Sequence, residues 1–364
     1  MLRLWLNAHM PSDFQHRFAR ARRKKRGGWR WLIVLIALAA VTWIWWRHEH
    51  PNKTVRPPKT TATAPAKPLI IARQSPGDFP RPVRDVLEAQ IVLARRAISP
   101  GSIDAALGSQ TRVALSVFQG IESLPQTGML NTDTRTRLML DAPLLTTYVI
   151  TTNDLAQLQP LGKTWLAKSQ QSALDYETEL ELVAEKSHSH PILIRRLNSS
   201  VNWTNITPGT VLQIPDVNYP APTNKAAFAV IHLDKKFLEA FGMETNLLVH
   251  FPCSIAAQVE KRPVGELHVA AIAPNPNYTF DPEVFPESPE ARQLKQKLIL
   301  QPGPNNPVGV AWISLDKTGY GIHGTPNPEQ VGRTESHGCF RLANWDAEYL
   351  VQLVWVGMPV FIEP

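Results

Sequence analysis

A multidomain chain is predicted: a mainly β domain at the C-terminus, a small three-helix domain and an α+β module ahead of it, and one transmembrane helix near the N-terminus. Three observations predict it. The 364 residues are too many for one ordinary core, since domains run to about 100–200 residues. The run from Trp31 to Trp46 is uncharged and almost wholly apolar. The apolar pattern also changes period, from helical spacing between Val83 and Leu140 to strand-like alternation after Lys225.

The N-terminal element follows from charge and length. The formal charge is +7, but Arg3, Arg17, Arg20, Arg22, Arg23, Lys24, Lys25, Arg26 and Arg30 stand against Asp13 alone in residues 1–30. The remainder is close to neutral and lacks the broad positive face that neutralises many phosphates, which excludes nucleic acid as a partner. Residues 27–46 reach the roughly 20 residues that span a bilayer. Trp43, Trp45 and Trp46 stand at one interface and Arg30 can snorkel at the other. Bulky WIWWRHEH follows where a cleavage site would need small residues, so the span reads as an uncleaved anchor. Residues 1–26 then form a basic cytoplasmic tail, and residues 47–364 lie outside the inner membrane, in the periplasm or its extracytoplasmic equivalent. Residues 47–82, rich in proline, threonine and alanine, read as an extended linker.

In residues 83–142, Leu87, Ile91 and Ala94, then Ala114, Val117, Phe118 and Ile121, recur at helical spacing. Gly108 precedes one helix and Asn131 or Thr132 caps another. Ile103, Asp104, Gly108, Thr111, Phe118 and Gln119 resemble the pattern of the three-helix peptidoglycan-binding domain, with Ala105 where that family usually has glycine. Residues 146–217 open with strand-like TTYVITTNDL and close with a Pro208-Gly209 turn before the strand Val211 to Ile214. With the helical ALDYETELELVAEKSHSH between them, they resemble a LysM-like glycan-binding module interrupted by an insertion from Leu155 to Thr178. His188 and His190 read as solvated surface, not as metal ligands.

Residues 225–364 alternate in short β-branched or aromatic runs: AAFAVIHL, NLLVHFPCSIA, ELHVAAIA, VGVAWISL, YGIHG and MPVFIEP. The proline-rich excursion from Asn275 to Gly309 has the length of a lid or binding element. Of the two cysteines, Cys253 sits in a strand-like run and reads as a small buried hydrophobe. Cys339 sits in a glycine-containing loop beside histidines and reads as a nucleophile. A thiol with a pKa of about 8.5 is mostly protonated near neutrality and needs an imidazole to take its proton or stabilise its anion. His323 is the candidate base. Attack on an amide carbon creates an oxyanion, and losing one donor to it typically costs about 3 kcal/mol. The backbone amides of His337, Gly338 and Cys339 are the candidate donors, with Gly338 giving the loop its freedom. Zinc held by His323, His337 and Cys339 lacks the usual ligand spacing. Asn344 and Asp346 are expected to cap and charge the helix that follows.

The pair His323-Gly324, a spacer, then Ser336-His337-Gly338-Cys339 and Arg341 resembles the L,D-transpeptidase catalytic family over roughly the last 140 residues. The resemblance implies that the Gly324 carbonyl holds the second ring nitrogen of His323, that Ser336 and His337 support the site, and that Arg341 positions the loop or meets a substrate carboxylate. It implies no cofactor or metal. It also implies a peptidoglycan substrate: Cys339 attacks the third residue of a stem tetrapeptide donor, expels D-alanine, and an amine acceptor resolves the thioester into a 3–3 crosslink. An L,D-carboxypeptidase, in which water resolves the thioester, and a non-catalytic wall-binding anchor remain open alternatives.

Overall fold

Asp85 ends an extended stretch and starts helix α1 (Val86–Arg95), its side chain accepting from the Glu88 N–H. Helix α2 (Ser109–Ile121) follows Gly108, and Asn131 caps α3 (Thr132–Arg137) by accepting from the Thr134 N–H at 2.9 Å. The chain is seen in a computed structural model that describes residues 69, 71, 76–284, 289–294, 296–333 and 338–364. The tail, the apolar run Trp31 to Trp46 and most of the linker lie outside those residues. Among the described residues no helix is long and apolar enough to cross a membrane. Strand β1 (Arg81–Pro82), within the stretch read as linker, pairs antiparallel with β2 (Met139–Leu140). Leu87, Ile91, Ala94, Ala114 and Phe118 are buried as the periodicity requires, whereas Ile121, at the last turn of α2, is 54% exposed. Buried Gln90 donates through Nε2 to Asp104 Oδ1, the Ala106 carbonyl and Thr111 Oγ1, which ties the Ile-Asp turn to the start of α2.

The middle segment runs β3 (Leu145–Val149), α4 (Thr152–Gln157), α5 (Trp165–Ser169), α6 (Glu179–Lys186), α7 (Pro191–Leu197) and β4 (Val211–Pro215). The two strands pair antiparallel along their whole length, and Leu182, Val183, Ile194 and Leu212 form the core beneath them. His188 departs from the sequence expectation. It is half-buried, with Nδ1 shut off from solvent, and its ring stacks on Trp345 with centroids 5.1 Å apart. Burial pushes its imidazole down to about 3. His190 caps α7, its Nδ1 accepting from the Ile192 N–H at 3.1 Å. The insertion packs away from its own segment. Trp165 stacks on Phe280 at 4.3 Å, and Leu174 joins Phe280, Leu298 and Leu300 in one apolar cluster.

After Lys225 come β5 (Phe228–His232), β6 (Phe237–Phe241), β7 (Leu247–Pro252), β8 (Gly265–Pro274), β9 (Tyr278–Phe280), β10 (Leu298–Leu300), β11 (Ala311–Leu315), β12 (Gly321–His323), β13 (Phe340–Arg341), helix α8 (Asn344–Leu353) and β14 (Pro359–Glu363). One eight-stranded sheet has the order β13-β12-β11-β8-β14-β5-β6-β7, and β9 pairs with β10 separately within the proline-rich excursion. Strand β6 escaped the sequence reading. It is set by the tight turn at Lys236, where φ is +58°, and it carries Glu239 between buried neighbours. Ala97 and Ser99 cover the edge strand β7: the His250 N–H donates to the Ala97 carbonyl at 3.0 Å and the Ser99 N–H to the His250 carbonyl at 2.8 Å. Covering this part of the edge hinders its extension by another chain.

Candidate active site

His323 ends β12 and is paired in parallel register with Arg341 on β13, as Ile322 is with Phe340. Side chains on alternate residues share a face, so Cys339, two residues before Arg341, falls on the face of His323 and Arg341. The thiol meets the backbone N–H of Gly321, two residues from the histidine, and Sγ lies 3.6 Å from the Gly319 carbonyl oxygen. Gly321 is small for a second reason: a Cβ there would stand 2.6 Å from the Trp312 ring. That ring stacks on His323 with centroids 5.5 Å apart and closes one side of the imidazole.

The ring of His323 is held in one tautomer. Its Nδ1 is 2.6 Å from the Gly324 carbonyl oxygen. A carbonyl can only accept, so Nδ1–H donates and Nε2 is left as a base. Gly324 is glycine because a Cβ there would lie 2.2 Å from Asn344 Oδ1. Burial pushes the imidazole down to about 4, against the pull of the Gly324 carbonyl, and the Arg341 charge pushes the same way as burial. Burial likewise raises the Cys339 thiol, while the Gly321 N–H and Arg341 favour its anion. At neutral pH both groups are therefore uncharged. The arrangement suits an imidazole that removes the thiol proton as attack proceeds, and it supplies a guanidinium beside the sulfur for the charge that develops.

Arg341 is half-buried, and burial lowers it against the opposing influence of Cys339 and Tyr278. It lines a cavity of about 280 Å³ together with Ser254, Thr325, Asn327, Gln330 and Val331. The Arg341 and Ser254 backbones exchange hydrogen bonds at 3.0 and 2.9 Å, and Ser254 Oγ accepts from the Gly332 N–H at 2.8 Å, fixing the chain that leads to the nucleophile loop. Of the expected site residues, His323 is bonded to the Gly324 carbonyl, and Arg341 lies within electrostatic reach of both His323 and Cys339. Ser336 and His337 lie outside the described residues. A Cβ built on Gly338 meets nothing within 4 Å among the described residues. No disulfide joins Cys253 and Cys339, and Cys253 is fully buried, with its thiol raised far above the ordinary range by that burial. Among the described residues no group of three His, Cys, Asp or Glu side chains is placed to hold a metal.

Two expectations are corrected. Asn344 and Asp346 do not cap α8, whose N-cap is Ala343 without a side-chain bond. Both side chains turn inward instead. Asn344 Nδ2 donates to Glu185 Oε1 at 2.8 Å, and Asp346 accepts from Ser99 Oγ at 3.1 Å and from the Tyr219 hydroxyl. Sequence reasoning also missed Tyr278, which the excursion brings within electrostatic reach of Cys339 and Arg341. Burial and then Cys339 push its phenol up to about 12. Its one sequence signal was its place in a loop of lid length.

Residues 226–362 match the family model described as "L,D-transpeptidase catalytic domain", and residues 83–138 match "Putative peptidoglycan binding domain". Among curated relatives, the "Putative L,D-transpeptidase YkuD" of Bacillus licheniformis is 47% identical over 64 residues, which are 18% of this chain and 39% of that protein. The "Putative L,D-transpeptidase YqjB" of Bacillus subtilis is 36% identical over 105 residues, 28% of this chain and 51% of that one. The chain thus spans about half or less of the length of these relatives. A solved "L,D-transpeptidase from Mycobacterium smegmatis" aligns over 44% of this chain and 76% of that one with 19% identity, at a TM-score of 0.30, too low to bear an argument. The chain carries an L,D-transpeptidase catalytic domain over residues 226–362, joined to a domain of the peptidoglycan-binding family over residues 83–138.

Proposed function

We propose that this chain is a cysteine L,D-transpeptidase that forms 3–3 crosslinks in peptidoglycan. The observation that carries the reading is the His323 Nδ1–Gly324 carbonyl bond, which leaves Nε2 as the free base on the face of the sheet that Cys339 shares. In the first half-reaction Nε2 takes the thiol proton as Sγ attacks the carbonyl carbon of the third stem residue. The oxyanion is met by backbone amides at Gly338 and Cys339, with His337 as a third donor and Ser336 supporting the loop. The bond to the terminal D-alanine breaks, its nitrogen takes the proton from the imidazolium, and a thioester remains. In the second half-reaction an acceptor amine attacks the thioester, its proton passes to Nε2, and the thiolate leaves and is reprotonated. Arg341 and Tyr278 flank the sulfur and orient the stem peptide, Arg341 by pairing with a carboxylate.

The rest of the chain serves the same substrate. Domain 83–142 and the LysM-like module 146–217 hold the wall polymer. The basic tail 1–26, the span 27–46 and the linker 47–82 tether the enzyme as a single-pass protein of the inner membrane, with the cytoplasmic end at the N-terminus and residues 225–364 outside.

The test is incubation of the full chain, wild type and Cys339→Ala, with tetrapeptide muropeptides, followed by mass analysis. A dimer lacking one D-alanine, lost by at least about 10⁴-fold in the variant, is the expected result. A tripeptide monomer instead means a carboxypeptidase. Unchanged substrate together with tight binding to sacculi means a wall anchor and ends the proposal.

A further inference from the structure

Behind the catalytic imidazole lies a chain of buried polar groups that the thiol chemistry does not use. The Gly324 carbonyl that holds His323 is backed by Asn344, from the first turn of α8. The Asn344 Oδ1 occupies the space that a Cβ on Gly324 or on Gly309 would fill, at 2.2 and 2.0 Å, and Gly309 has a φ of +62°. The Val310 N–H points to the same oxygen at 3.3 Å. Two glycines and one amide therefore interlock directly under the His323-Gly324 peptide. The other end of the Asn344 side chain is equally committed, Nδ2 donating to the Pro304 carbonyl at 3.1 Å and to Glu185 Oε1 at 2.8 Å. Glu185 belongs to α6, in the 146–217 segment, outside the catalytic domain. It is 9% exposed, and its carboxyl is shared with Tyr176 and faced by Glu181 and Glu348.

We propose that Asn344 is a positioning residue for His323 and that Glu185 extends that role to the 146–217 segment, so that this segment sets the orientation of the catalytic imidazole besides contacting the wall. The inference rests on the transpeptidase reading. Its physical basis is that the Gly324 carbonyl fixes the ring only if it is itself fixed. A carbonyl next to two glycines has no side chain of its own to hold it, and groups that orient a functional histidine typically matter by 10- to 100-fold. A buried amide lodged between Gly309 and Gly324 supplies the constraint, and the Glu185 carboxyl stops that amide from rotating.

The experiment uses the full chain with Asn344→Ala, Glu185→Ala and Glu185→Gln. Two rates are measured: crosslinking of tetrapeptide muropeptides, and alkylation of Cys339 by iodoacetamide, for which Cys253 is too buried to compete. Asn344→Ala is expected to lower kcat about 10- to 100-fold with KM moved less than about threefold, and to slow alkylation in step. Glu185→Ala is expected to lower both rates several-fold, and Glu185→Gln, which keeps an acceptor at Oε1, to recover most of that loss. The inference is overturned if both alanine variants keep kcat and alkylation within about twofold of wild type. It is also overturned if their losses match only the fraction of chain that is unfolded, read from circular dichroism. If the wild type itself makes no crosslink, the transpeptidase reading fails, while the alkylation rates still decide whether Asn344 and Glu185 position His323.

Discussion

The protonation states of two side chains decide how the nucleophile is made. His323 stays uncharged down to about 4, and burial holds Cys339 above its ordinary value, so between those limits the pair is neutral and no thiolate–imidazolium pair is stored. Alkylation of Cys339 should therefore climb continuously from neutral to alkaline pH as the thiol ionises, and its base-assisted part should disappear only as pH falls through about 4. A flat plateau spanning neutrality, the signature of a preformed ion pair, would contradict this. A second residue-scale prediction concerns Ala105, which adopts φ +65°, a conformation that favours glycine. The left-handed conformation costs an L-residue roughly 1–2 kcal/mol, partly offset by the entropy glycine loses on folding. Ala105→Gly should raise the stability of the helical domain by about 0.5–1 kcal/mol, read as a higher thermal midpoint; an unchanged or lower midpoint counts against the strain.

At the scale of elements, the insertion and the excursion explain each other. Helix α5 brings Trp165 onto Phe280 of β9, the Leu174 N–H donates to the Pro302 carbonyl at 2.9 Å, and the Asn305 N–H returns a bond to the Leu174 carbonyl at 2.9 Å. Gly303, at φ +142°, lets the Leu174 carbonyl approach where a Cβ would stand at 2.3 Å. The insertion is thus a brace for the hairpin that carries Tyr278. Trp165→Ala should raise KM for the stem peptide several-fold while leaving alkylation of Cys339 by small iodoacetamide near the wild-type rate; an equal fall in both would mean the brace acts on the sulfur itself. None of this was visible locally. Period and turn chemistry predict the helices at Leu87 and Phe118 and most strands after Lys225, and the contiguous motif exposes His323, Cys339 and Arg341. The insertion's partner, by contrast, lies more than a hundred residues away. An Asn-x-Asp at a helix start resembles a cap until other segments arrive to take both side chains inward. His188 read as surface for the same reason, because Trp345 covers one face of its ring from a different domain.

At the scale of the whole molecule, buried titratable groups set a window of pH in which the packed domains hold together. Glu239, between the imidazoles of His232 and His250, is held down to about 2 despite burial. Its contribution is complete above its ordinary value of 4.5 and is lost as pH falls from there through about 2. His188 and His323 are kept neutral to about 3 and 4 against an ordinary 6.5, so the unfolded chain takes up their protons first and stability drops as pH falls below 6.5. Asp346 and Glu185 act in the opposite sense. Burial raises them to about 7 and about 8 from 3.8 and 4.5, so the folded chain keeps protons that the unfolded chain releases, and stability drops as pH rises from about 4 toward 8. Between about 4.5 and 6.5 the two histidines and the two carboxyls oppose each other and nearly cancel; above 6.5 only the carboxyls act. The thermal midpoint should therefore be level across that interval and fall above it. Asp346 is the group to change, because Ser99 from the helical domain, Tyr219 and α8 all meet on its carboxyl. Asp346→Asn cannot ionise, so whatever the substitution costs at pH 5, its midpoint should gain on the wild type as pH is raised to 8, by an amount on the order of a few kcal/mol in stability. Two curves running parallel from pH 5 to 8 would mean that this carboxyl ionises freely in the fold and that the junction it joins is open to water.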